Sequence, residues 1–142
     1  MPDRESLITK LEKGRAEFAY RCVKEVVDEN SSNKELLKNY RAYSRKIPQM
    51  ILSNGLGQTL AFVKSKAKNG NAYELLYSQM MDYLRSDSTA RIKMPDNIEL
   101  VEWVISLDSQ NYRYVTEEIL AFLNWVKRFA EGLIETEEES EE

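Results

Sequence analysis

The sequence predicts an all-α fold, a single-domain compact bundle of about six helices, and three observations predict it. Apolar residues recur with a spacing near 3.6 along almost the whole chain. Glycine and proline together number only eight in 142 residues, about half the usual share, whereas a sandwich or barrel needs such residues at turns every 8–12 positions or so. The length suits one domain, and a chain of this size buries about 68–70% of its unfolded surface, enough for a core without covalent staples. Residues 1–134 are assigned to the bundle and 135–142 to a disordered acidic tail.

The first helix is predicted from about Ser6 to Val27, with Ile8, Leu11, Ala19, Cys22, Val23 and Val26 along one stripe. Arg15 falls in phase with that stripe. It either buries its stem and keeps its charge in water, or forms one half of a partly buried ion pair. Residues 28–33 break the pattern. Ser32-Asn33-Lys34-Glu35 then reads as a capping box, with serine and glutamate closing orphan amides reciprocally. The second helix carries Leu37, Tyr40, Ser44 and Ile47 on one face. Pro48 lacks an amide, so a kink or restart is expected there. Ile51 and Leu52 extend the face to the stop signal Asn54-Gly55.

The third helix is predicted from Leu56 to about Lys68. Leu56, Leu60, Val63 and Ala67 form one stripe and Phe62 lies opposite, the pattern of a central helix with neighbours on both sides. Gly57 costs about 1 kcal/mol relative to alanine, so a close helix approach is expected at that point. Asn69-Gly70-Asn71 ends this helix and caps a fourth, lined by Leu76, Met80, Tyr83 and Leu84, with Glu74 three residues after Asn71. Residues 86–96 form the longest loop. Asp96 and Glu99 give another capping-box pattern for a fifth segment with Ile98, Val101, Val104, Ile105 and Leu107. The last helix begins between Gln110 and Thr116, and Val115, Ile119, Leu120, Leu123, Val126, Phe129, Ala130 and Leu133 give it a wide apolar face. Met80, Met81, Trp103, Phe122 and Trp125 fall at helical spacing and read as core or the edge of an interface.

Composition excludes several kinds of chemistry. There is no histidine, which removes imidazole-based triads, proton shuttles and zinc sites. Cys22 stands alone, so no internal disulfide or thiolate cluster forms, and its place on an apolar stripe reads as a buried, inert thiol. Neither a phosphate loop, a dinucleotide glycine fingerprint nor a serine nucleophile elbow is present. Adjacent acids such as Glu117 and Glu118 point to different sides of a helix and make no two-carboxylate site. The expectation is therefore a non-enzyme without metal or cofactor. No apolar run approaches the ~18 residues of a membrane span and the first residues are polar, so a soluble cytoplasmic protein with no membrane partner is expected.

Charge is segregated. The net charge is −4, yet residues 135–142 hold six glutamates and no base. Residues 1–33 and 69–134 are balanced or acidic. Between them, residues 34–68 carry Lys34, Lys38, Arg41, Arg45, Lys46, Lys64, Lys66 and Lys68 against Glu35 alone. Lys34, Lys38, Arg41 and Arg45 follow helical 4-3-4 spacing, which predicts a row of positive charge along the second helix. A solvated face normally mixes signs, so an unneutralised row points to a phosphate backbone, and these eight residues are the candidate nucleic-acid contacts. Tyr43 interleaves with the bases and offers a stacking face, whereas Tyr40 lies on the apolar stripe. The acidic tail reads as a solubilising segment or as a polyanion that folds back on the basic stretch.

Several stretches together resemble a known family: residues 15–20 (RAEFAY), 40–44 (YRAYS), 46–51 (KIPQMI), 54–62 (NGLGQTLAF) with Lys64-Ser65-Lys66, and 116–120 (TEEIL) through 125–130 (WVKRFA). In order and spacing they look like the small α-helical subunit of the Cmr complex, the type III-B CRISPR RNA-guided effector. The resemblance runs from Arg15 to Leu133 and leaves the acidic tail outside. It implies a non-catalytic role in antiviral defence. Small subunits of that family line up as a filament beside the backbone subunits, which hold the CRISPR RNA, and help to accommodate target RNA. The implied partners are those subunits, further copies of this chain, CRISPR RNA and target RNA. Arg41, Arg45, Lys46, Lys64 and Lys66 fall inside the matching segments; Lys34, Lys38 and Lys68 rest on charge alone. The alternative is a protein–protein adaptor whose basic face meets acidic subunits.

Overall fold

A computed structural model describes residues 4–89 and 91–136. The predicted acidic tail therefore lies outside the described residues from Glu137 onward. The helices are α1 (Arg4–Glu29), α2 (Lys34–Asn54), α3 (Leu56–Lys66), α4 (Ala72–Arg85), α5 (Leu100–Ser106) and α6 (Ser109–Leu133), with no strand among the described residues. None of these helices is long and apolar enough to cross a membrane.

The wide apolar face of α6 makes it the hub. It packs most extensively on α1 and α2 and also touches α4 and α5, while α3 packs on α2, α4 and α5. The two-sided pattern of α3 thus gives it neighbours, but the long α6 gathers most of the bundle. Val115, Ile119, Phe122, Leu123, Val126 and Ala130 of α6 are buried, as are Ala19, Val23 and Val26 of the α1 stripe. That stripe loosens at its start, where Leu11 is exposed. Tyr83 and Phe122 stack at 4.6 Å between ring centres, and Phe18 meets both edge-on.

Three local expectations shift. Asn33, not Ser32, caps α2: its side chain accepts the Leu36 amide at 3.1 Å. Asparagine caps as well as serine does, so the adjacent pair left the register open. Glu99 itself caps α5 by accepting the Val101 amide at 3.2 Å, so α5 starts after Ile98. The Tyr77 hydroxyl hydrogen-bonds Glu99 and accepts the same Val101 amide, which holds the start of α5 on α4. Finally, α2 continues through Pro48 as one helix, so the restart, one of the two outcomes expected there, does not occur. The proline removes the bond to the Ser44 carbonyl but does not stop the helix, because Ile47 and Ile51 are buried on either side of it.

Gly55 joins α2 to α3 at φ 90°, ψ 161°, a conformation essentially reserved for glycine. The next glycine has a different reason. A Cβ on Gly57 would sit 3.5 Å from the Tyr112 hydroxyl and 3.8 Å from Ile105, ordinary contact, so the predicted close approach is not tight enough to demand glycine. The Gly57 amide donates to Tyr112 Oη at 2.8 Å, which ties the start of α3 to the first turn of α6.

Arg15 is the ion-pair half of its two readings. Its Nη2 donates to Glu118 Oε2 at 2.8 Å and its Nε to Tyr83 Oη at 3.1 Å, while the Tyr83 hydroxyl donates to Glu118 Oε1 at 2.8 Å. Burial works against the guanidinium charge, but the bonds to Glu118 and Tyr83 outweigh it and raise the Arg15 pKa. Burial and the neighbouring Glu118 raise that of Tyr83. Cys22 is half-buried on its stripe, and burial pushes its thiol up to about 12.

Candidate nucleic-acid interface

The basic stretch occupies α2, α3 and the turn between α3 and α4, because Asn54-Gly55 folds the two helices against one another. The eight candidate residues divide into three groups there. Lys34, Lys38, Lys46, Lys66 and Lys68 are exposed, and no carboxylate among the described residues lies within ion-pair distance of them. Arg45 and Lys64 are exposed but paired: Arg45 Nη2 lies 3.1 Å from Glu131 of α6, and Lys64 Nζ lies 3.4 Å from Glu99. Arg41 is only 9% exposed.

The predicted row along α2 is therefore interrupted. Arg41 turns toward the bundle, since the three-residue step from Lys38 swings it about 60° back around the helix, toward the side of the buried Ser44. Arg45, one turn on, meets α6. Neither Glu131 nor Glu99 belongs to the basic segment, so charge counting within residues 34–68 did not include them.

On the other flank of α2 the structure assembles a cluster drawn from three helices. Tyr43 of α2 stacks on Tyr73 of α4 with ring centres 4.0 Å apart and planes 13° apart, and Phe62 of α3 meets Tyr73 edge-on at 5.8 Å. Lys46 Nζ lies 5.2, 5.8 and 5.9 Å from the ring centres of Phe62, Tyr43 and Tyr73, and donates to Tyr73 Oη at 3.2 Å. Lys66 Nζ lies 5.9 Å from Phe62 on the same cluster. Ring quadrupoles attract ammonium groups at such distances, so the cluster orients two lysines without cancelling their charge. Burial raises the pKa of Tyr43, with Tyr73 next in effect. The sequence signalled part of this, Tyr43 one turn before Lys46. Tyr73 lies on another helix, and only the fold brings it to them.

Lys68 sits in the connection to α4, which is shaped by Asn69 at φ 52° and Gly70 at φ 72°. Asn71 caps α4 by accepting the Glu74 amide at 2.9 Å, as the spacing predicted, and also bonds the Lys66 carbonyl at 2.8 Å. This fixes the lysines of the turn relative to α3. An open groove beyond Lys64 is lined by Glu74, Asp96 and Glu99 as well as Arg85. Its mixed signs do not suit a phosphate track. Among the described residues no three cysteine, aspartate or glutamate side chains converge as a metal-binding group.

Comparison with known proteins assigns the fold to a family. The family model described as "CRISPR-associated protein (Cas_Cmr5)" matches residues 11–133. A curated relative from Thermus thermophilus, the CRISPR system Cmr subunit Cmr5, is 33% identical over 96 residues, covering 68% of this chain and 75% of the relative. The crystal structure of a CRISPR-associated Cmr5 family protein from Thermus thermophilus superposes with a TM-score of 0.67 at 31% identity, covering 88% of this chain and 97% of that one. The chain described here belongs to the CRISPR-associated Cmr5 family.

Proposed function

We propose that this chain is a non-catalytic small subunit of the Cmr complex, the type III-B CRISPR ribonucleoprotein effector, and that its copies line up beside the backbone subunits. In this reading Lys34, Lys38, Lys46, Lys66 and Lys68 face the phosphates of CRISPR RNA and target RNA. One observation carries it: five exposed ammonium groups on α2, α3 and the following turn lack carboxylate partners among the described residues. Such groups repel one another, and a phosphate backbone relieves that repulsion while releasing its own counterions. Arg45 and Lys64 join only where RNA displaces Glu131 or Glu99. The burial of Arg41 removes it from the contact surface. With no base-reading module, binding follows backbone and shape, not sequence.

Photo-crosslinkers placed at Lys38 and Lys46 in the assembled complex test this directly. RNA adducts at both positions are expected. Adducts to protein alone would overturn the RNA reading and favour the adaptor, for which there is a separate observation. Leu52 is 76% exposed and Ile105 69% exposed, both toward the end of the bundle where α2 gives way to α3, and apolar side chains left in water suit a protein partner.

A further inference from the structure

We propose that the outer face of Tyr43 is a stacking site for an unpaired RNA base, with Lys46 beside it to hold the phosphate of the same nucleotide. The site rests on the RNA reading just given, to which it adds a contact with bases.

Three rings meet there in different roles. Tyr73 of α4 is 8% exposed and anchors the stack. Tyr43 of α2 is half-buried and lies on it, with ring centres 4.0 Å and planes 13° apart. One face of Tyr43 is thereby covered, and among the described residues no second ring covers the other. Phe62 of α3 meets Tyr73 edge-on, at 5.8 Å. Lys46 leaves the outer face open too. Its Nζ lies 5.8 Å from the centre of Tyr43 and 5.9 Å from that of Tyr73. A point almost equidistant from two stacked rings sits at the side of the stack, level with the gap between them. The hydrogen bond from Lys46 to Tyr73 Oη at 3.2 Å and its 5.2 Å approach to Phe62 keep it there.

Every base has a π-face, and stacking on an aromatic side chain tolerates any sequence. A base laid on Tyr43 extends the Tyr73–Tyr43 stack by one ring. Buried Tyr73 already holds Tyr43 in place, so little side-chain freedom is lost on binding. A nucleotide carries its phosphate to the side of its base, and Lys46 stands at the side of this stack. Lys66, 5.9 Å from the centre of Phe62, continues the positive charge toward a neighbouring phosphate. Glu35 is the carboxylate that acts on Tyr43, and its influence ranks below that of Lys46. In a duplex the bases cover one another's faces, so the site selects single-stranded RNA.

The full chain is titrated with a single-stranded RNA of about 20 nucleotides carrying 2-aminopurine, whose fluorescence falls on stacking, and with an RNA duplex of the same length. Quenching by the unmodified chain is expected. Tyr43→Leu should lose the quenching and bind the single strand about 5- to 30-fold more weakly, with duplex affinity unchanged. Tyr43→Phe, which keeps the ring, should retain both, and circular dichroism checks that each variant stays helical. Equal losses on single strand and duplex, or unchanged quenching by Tyr43→Leu, would overturn the stacking site. Lys46→Glu/Lys66→Glu should weaken binding of both RNAs. If it does not, while the Tyr43 effects persist, the phosphate contacts at these lysines fall and the base contact stands. No binding of either RNA by any form would overturn both.

Discussion

Arg15, Tyr83 and Glu118 join α1, α4 and α6 through charge buried between helices. Removing the guanidinium takes the ion-pair partner from the buried Glu118, which keeps its bond from Tyr83, so Arg15→Ala should lower stability by up to about 3–5 kcal/mol in urea unfolding. Replacing both charges by methionine should recover most of that loss. Equal destabilisation by the single and double variants would show that packing, not the stranded charge, sets the cost. Cys22 makes a second prediction at this scale. Its thiol pKa is about 12 in the folded chain, against about 8.5 for an accessible thiol, so alkylation at pH 8 should be slow until denaturant is added. The sign for stability follows from the raised value. Between about pH 8.5 and 12 the folded chain keeps the proton that the unfolded chain loses. Its contribution is full below that window and falls as pH rises through it. Tyr40, Tyr77 and Tyr83, also raised chiefly by burial, act in the same direction at still higher pH.

The helices themselves were largely legible in sequence, because each buries one stripe at helical spacing and each break carries turn or cap residues. About six were expected and six form among the described residues, with Asn71 capping α4 where the spacing placed it. The misreadings come from choices that local pattern leaves degenerate. Ser32 and Asn33 are both good caps, and the chain uses the one whose oxygen reaches the Leu36 amide. Glu99 was read as the closing residue of a capping box, but Tyr77 from another helix stabilises it as the cap itself. The two glycines at the α2–α3 junction divide cleanly at this scale. Gly55→Ala forces a side chain into a conformation that costs about 1–3 kcal/mol. Gly57→Ala meets only ordinary contacts and should be neutral or raise stability by up to about 1 kcal/mol. Thermal unfolding of the two variants separates the roles; equal losses would mean that the approach of Tyr112 and Ile105 is tighter than it looks.

For the whole molecule, charge counting found the basic surface but not its edges. The five lysines it counted are exposed, and Glu35, the one acid within the segment, does not offset its bases. It counted Arg45 and Lys64 as equally available, because Glu131 and Glu99 arrive from distant segments, and it counted Arg41 before its burial was visible. The rings that hold Lys46 likewise come from three helices. What emerges is a bundle whose α6 gathers the core and whose α2–α3 side holds five exposed lysines with no carboxylate partner among the described residues.

The decisive measurement is assembly of the complex on CRISPR RNA, with and without target strand, using the variant in which Lys34, Lys38, Lys46, Lys66 and Lys68 are all changed to glutamate. Circular dichroism first checks that the variant keeps its helices. Weakened incorporation, with a shallower dependence on salt than the unmodified chain, is the expected result. Incorporation of the folded variant at unchanged strength and salt dependence would contradict the claim that these lysines meet a phosphate backbone.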